Sequence, residues 1–223
     1  MTSQNYEVLV AAVCTLLNST HPVRDAFHKH GHGSYRGIRP SNKGIDGCIP
    51  YESGLAHDAI RLYNLAPEVM LIIPEPFVLD YELDGEAHSY TPDFLLHLRN
   101  GQRAVVEVKY QAEANTPENQ RRFQAIASLI ESAGGLFAVV TEKTLRDKVL
   151  LHNLGLVEGQ RHRHIPLTAK TAMLQILREG PASLEALSSA ARDVQLVYAA
   201  IGQEWLAVSL YKPLRSSTLI RRI

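Results

Sequence analysis

Residues 90–109, YTPDFLLHLRNGQRAVVEVK, decide how this chain folds. Asn100-Gly101 stands between two apolar runs, a pairing that reverses a chain and lays one strand antiparallel to the next. Strands are expected over residues 87–98 and 103–110. Alternate residues of a strand share a face, so Glu107 and Lys109 project together while Val106 and Val108 turn to the core. Asp93 lies on the neighbouring strand, and the turn decides what it meets. A two-residue turn would set Asp93 opposite Val108, on the face away from Glu107. A three-residue loop, Arg99-Asn100-Gly101, with Gly101 left-handed in a bulge, sets Asp93 opposite Glu107. The bulged loop is predicted, because two acids and a lysine at a half-buried strand end are costly unless a cation sits among the carboxylates. A hard divalent metal meets that need.

Working outward, residues 77–83 are strand-like and lead into the hairpin signal Asp84-Gly85. Residues 51–64 carry a helical stripe (Leu55, Ala59, Leu62, Tyr63) ahead of Pro67, with Glu52 in the first turn. Thr116 before Pro117 starts a helix that runs through Phe123, Ile126 and Ile130 and closes at Gly134-Gly135. A short strand over 136–140 follows, then a helix over 144–154 ending at Gly155. The order helix, three antiparallel strands, helix, strand, helix describes an α/β fold of the α+β kind with a mixed sheet. Residues 6–17 lack a clear period and read as helix or strand, and 21–50 read as an extended basic arm. Beyond Gly155, helices are expected over 168–179, 183–191 and 194–202, with strands over 205–211 and 218–222, a winged-helix pattern. The expected division is 1–43 as N-terminal segment and basic arm, 44–160 as catalytic domain, and 161–223 as the winged-helix-like domain.

Composition agrees with a globular protein: 223 residues, 45% hydrophobic, 21% charged. Cys14 and Cys48 show no paired spacing, so neither a disulfide framework nor a zinc site is suggested, and a cytoplasmic, reducing setting fits. No run reaches the roughly 18 apolar residues of a membrane helix, so no membrane partner is expected. Net charge is zero but uneven: residues 44–109 hold 4 Lys and Arg against 11 Asp and Glu, 24–43 hold 5 against 1, and 161–223 hold 9 against 4. An acidic centre between basic flanks suits a nuclease, with carboxylates for metal ions and cations for phosphates. Arg36, Arg39 and Lys43 are the DNA-contact candidates. His28, His30 and His32 lack a fourth ligand and are read as solvated or phosphate-facing, Arg161 and Arg163 as linker charges, and nothing requires His57 or Gln124 at the site.

The succession Glu52, Pro92-Asp93 and Glu107-Val108-Lys109 resembles the PD-(D/E)XK restriction-like nuclease superfamily. With Tyr51-Glu52-Ser53, Pro74-Glu75-Pro76, Tyr90-Thr91-Pro92-Asp93-Phe94 and Val106-Glu107-Val108-Lys109, it is similar to the N-terminal catalytic domain of TnsA-like transposase endonuclease subunits over roughly residues 36–157. The resemblance implies a restriction-endonuclease-like core followed by a small winged-helix-like domain. It implies catalytic roles for Glu52, Asp93, Glu107 and Lys109. Asp93 and Glu107 would be carboxylate metal ligands, the Val108 carbonyl a further ligand, and Glu52 a ligand to a second metal or its water. Lys109 would orient the attacking water or stabilise charge in the transition state. In other members the Glu107 position can be glutamine. Magnesium is the expected cofactor, with manganese able to substitute. The implied function is a metal-dependent endodeoxyribonuclease cutting the 5′, non-transferred strand at transposon ends. Double-stranded DNA, a DDE-type transposase and an AAA-type ATPase regulator are its implied partners. The rival readings are an autonomous restriction or junction-resolving nuclease of the same fold, and a non-catalytic assembly module.

Overall fold

The computed structural model describes residues 3–23 and 35–223, with side chains from residue 7 of the first helix onward. The expectation for His28, His30 and His32 lies outside the described residues. The chain forms two compact units, Met1–Leu145 and Arg146–Ile223.

The first unit is built on a four-stranded sheet of β3 (Val69–Pro74), β6 (Phe94–Leu98), β7 (Arg103–Val108) and β8 (Leu136–Val140), in that spatial order. β3–β6 and β6–β7 are antiparallel and β7–β8 parallel, so the sheet is mixed as expected. Each face is covered by helix. On one, α2 (Gly54–Leu65) packs Leu55, Ala59, Ile60 and Tyr63 against Ile72, Phe94, Leu96 and Val106. On the other, α1 (Ser3–Leu16) and α4 (Pro117–Ser132) bring Val13, Phe123, Ile126 and Ile130 against Ile73, Leu95 and Val105. A strand covered on both faces reads as a continuous apolar run, and β7 does so from Ala104 to Val106, after Arg103 and before Glu107.

The bulged loop forms, as the facing of the acids requires. Phe94 pairs with Val106 and His97 with Arg103. Gly101 lies at φ 89°, where a side chain would be strained, and its N–H donates to the Leu98 carbonyl at 2.9 Å. Asp84 (φ 55°) and Gly85 (φ 84°) likewise make the tight turn between β4 (Leu79–Leu83) and β5 (Glu86–Tyr90). After the single turn of α3 (Gln111–Ala114), Thr116 caps α4 by accepting from Asn119 N–H, with Pro117 behind it.

Several expectations are corrected. The run over 87–98 is two strands in different sheets, β5 pairing with β4 and β6 with β3 and β7. Thr91-Pro92-Asp93 breaks it, since Pro92 has no N–H for a ladder. β3 escaped the sequence reading. Residues 6–17 fall almost wholly within α1, which settles the open choice. The supposed extended arm contains a hairpin, β1 (Gly37–Pro40) against β2 (Cys48–Tyr51), and Ile72 N–H donates to the Lys43 carbonyl. The first unit therefore runs through the expected 43/44 boundary. Its end precedes the expected 160/161 boundary: after the short α5 (Glu142–Leu145), Asp147 caps a new helix, α6 (Lys148–Glu158), which continues past Gly155 and belongs to the second unit.

In that unit α7 (Leu167–Ile176), α8 (Leu184–Ala191) and α9 (Val194–Gly202) follow, the last two capped by Ser183 and Asp193. Strands β9 (Ala182–Ser183), β10 (Leu206–Ala207) and β11 (Leu219–Arg222) form a sheet in the order β10-β11-β9. Asn153 of α6 is buried and donates to the carbonyls of Leu210 and Lys212, both at 2.8 Å. Arg163 is no free linker charge, since it binds Asp193 at 2.7 Å. Among the described residues, no helix is long and apolar enough to cross a membrane.

Candidate active site

The sheet ends where β6 begins and β7 stops, and the register delivers two acids there. Asp93 immediately precedes β6, one step beyond the Phe94–Val106 pair, so it stands across from Glu107. Its Oδ2 accepts from Val108 N–H at 2.6 Å. N–H and C=O of an extended residue point to the same side, so the Val108 carbonyl is also turned toward Asp93.

The two carboxylates differ in how their charge is met. Glu107 is only 5% exposed. Its Oε2 accepts from the Tyr90 hydroxyl at 2.8 Å, while Oε1 faces Lys109 Nζ at 3.4 Å and Arg122 Nη2 at 4.0 Å. Asp93 is less well served. Burial first and the Glu107 charge second push its carboxyl up to about 7, with Glu75 adding to the rise. The Val108 N–H and Lys109 pull the other way without cancelling it. Burial also drives the Tyr90 hydroxyl far above its ordinary range, helped by Glu107, so it remains a hydrogen-bond donor.

Glu52 comes from the α2 side. It lies outside the first turn expected for it: Tyr51 still belongs to β2, and Ser53 is the N-cap, accepting from Ala56 N–H at 3.0 Å. Glu52 lines a cleft of about 130 Å³ with Asp93, Glu75 and Phe94, and its Oε1 lies 3.9 Å from Arg36 Nη2. Among the described residues no group of three or more His, Cys, Asp or Glu stands ready to hold a metal. The acids therefore come as a facing pair, Asp93 and Glu107, with Glu52 on the cleft beside Asp93.

That arrangement fits a divalent metal on the chemistry of its donors. Glu107 has cations beside it, but the facing Asp93 is raised to about 7 by burial and by the Glu107 charge, which a shared cation would relieve, and the all-oxygen set suits magnesium or manganese.

The DNA-contact candidates divide. Arg36 is exposed and Arg39 half-buried, its Nη1 3.0 Å from His57 Nε2. Lys43 is a correction. It is 4% exposed, and its ammonium donates to the carbonyls of Tyr63 (3.2 Å) and Ala66 (2.7 Å) at the C-terminal end of α2. A cation there satisfies terminal carbonyls and the negative end of the helix dipole. Lys43→Met is expected to cost about 2 kcal/mol in a denaturant melt and to leave duplex affinity unchanged by fluorescence anisotropy. Gln124 is exposed on α4.

The sequence reading missed three neighbours. Tyr90 was inside the quoted motif, three residues before Asp93. Glu75 was marked by its flanking prolines; its backbone lies at φ 40° and its N–H donates to the Asp93 carbonyl at 3.0 Å. Arg122 gave no local signal, because it reaches Glu107 only through the packing of α4 on the sheet.

No curated protein matches the chain. Residues 66–142, which run from the end of α2 to Glu142 and include Asp93, Glu107 and Lys109, match the family model for the TnsA-like endonuclease N-terminal domain. The resemblance read from the motifs is borne out over that stretch, which is similar to the N-terminal domain of TnsA-like endonucleases.

Proposed function

We propose that this protein is a metal-dependent DNA endonuclease subunit of a heteromeric transposase, hydrolysing the 5′, non-transferred strand at transposon ends. The observation that carries the reading is the Asp93–Glu107 pair with Lys109 beside it, set by strand register inside the segment similar to TnsA-like endonucleases.

Asp93, Glu107 and the Val108 carbonyl would hold magnesium or manganese, with Glu52 joining from the cleft. When bound, the ion polarises the phosphate and lowers the pKa of the attacking water. The protein's groups supply the rest. Tyr90 donates to Glu107 Oε2 and fixes that carboxylate's orientation. Val108 N–H fixes Oδ2 of Asp93. Asp93 must give up its proton to become a ligand. Lys109 orients the water or meets the negative charge that builds on the phosphate oxygens. Arg36 and Arg39 are proposed to hold DNA phosphates. The second unit, with a short strand after its α7 helix, two further helices and a β-ribbon, is proposed as winged-helix-like. The remaining partners are a DDE-type transposase and an AAA-type ATPase regulator.

The test is reconstitution. Purified protein with magnesium and a plasmid carrying transposon ends is assayed alone and with the transposase. Cutting confined to the 5′ strand and dependent on the transposase is expected. Cutting by the protein alone would instead favour the autonomous nuclease, and none in either case the assembly module.

A further inference from the structure

We propose that Arg122 of α4 is a phosphate-binding residue that grips the DNA backbone next to the scissile bond, an assignment that rests on the nuclease reading above. Arg122 Nη2 and Lys109 Nζ approach the same oxygen of Glu107, at 4.0 and 3.4 Å. The longer distance exceeds a hydrogen bond, so the guanidinium meets Glu107 through charge without a hydrogen bond. Its Nε is buried and has no hydrogen-bond partner among the described residues. The guanidinium carbon lies 5.0 Å from the centre of the Phe123 ring, a contact that limits where the group can swing.

Charge accounting then assigns the role. In the metal-free site Glu107 answers to two cations. A divalent ion held by Asp93 and Glu107 would balance their two charges, and Glu52 already has Arg36 at 3.9 Å, so Lys109 and Arg122 would both be left in excess at the end of the sheet. Lys109 is a point charge suited to water or a single oxygen. A guanidinium presents a planar fork that pairs two phosphate oxygens at once, and this one has donors to spare.

The experiment is duplex binding by the full chain in calcium, which is expected to bind without supporting cutting, followed by fluorescence anisotropy across a salt series. Arg122→Ala is expected to weaken binding about tenfold and to reduce the slope of log K against log salt by about one phosphate contact. Arg122→Lys should keep the slope, since it keeps the charge. Arg122→Gln preserves side-chain length over Phe123 and gives the same reading should the alanine variant fold poorly. An unchanged slope in Arg122→Ala or Arg122→Gln, whatever the melting temperature, would overturn the assignment and leave Arg122 as a counter-charge for Glu107. Absence of any salt-dependent duplex binding by the wild-type chain would overturn the nuclease reading, and this assignment with it.

Discussion

Asp93→Asn is expected to abolish DNA cleavage, by at least about a thousandfold, and at the same time to make the metal-free protein more stable at pH 8. The first effect follows from removing a ligand charge, since the several kcal/mol of a metal's transition-state stabilisation correspond to a loss of that size. The second follows from the carboxyl's environment. Its pKa rises from 3.8 to about 7 because burial and Glu107 disfavour the anion. For an acid raised in the folded state, the folded protein binds more protons than the unfolded chain between about pH 4 and pH 7. Stability therefore falls as pH rises through that window and stays reduced above it. Asparagine carries no charge to bury, so the variant should gain on the order of 2 kcal/mol at pH 8 and little at pH 4. Thermal melts at the two pH values in EDTA check this. A variant less stable than wild type at pH 8 would show that Asp93 is a structural hydrogen-bond acceptor first.

Glu107→Ala is expected to lose cleavage as well but to move stability in the opposite direction, costing about 3 kcal/mol. This carboxylate is compensated: it accepts from buried Tyr90 and faces Lys109 and Arg122. Removing it strands a buried hydroxyl and leaves two neighbouring cations without their counter-charge. Glu107→Gln keeps an acceptor for Tyr90 and should recover most of the stability. It should also retain part of the activity, because the amide oxygen could still serve as a ligand to the ion. The opposite signs of the two stability effects separate an acid that awaits a cation from one already supplied with them. Denaturant melts at pH 8 measure both.

What was legible in the sequence was what local chemistry settles. Asn100-Gly101 marks a chain reversal, and the requirement that Asp93 face Glu107 selects the bulged loop over the tight turn, which is the register observed, with Gly101 at φ 89°. Thr116-Pro117 and Asp84-Gly85 are local in the same sense. The features that escaped are set by distant packing. The run Val-Met-Leu-Ile-Ile-Pro becomes β3 because β6 offers it an edge, and nothing in its period distinguishes that outcome from a buried helical segment. Gly155 reads as a helix stop yet lies within α6. Lys43 reads as a DNA-contact cation until the end of α2 is placed over it. Glu52 has the right neighbours in sequence, but Ser53 takes the cap and leaves it ahead of the helix.

The most direct measurement is a calorimetric titration of manganese into the protein at pH 6 with duplex bound, repeated in buffers of different ionisation enthalpy. Because Asp93 holds its proton with a pKa of about 7, binding should release close to one proton at pH 6 and much less at pH 8, and Asp93→Asn should abolish both the uptake and the release. Manganese uptake of equal affinity in Asp93→Asn, or no uptake by the wild-type protein, would contradict the account.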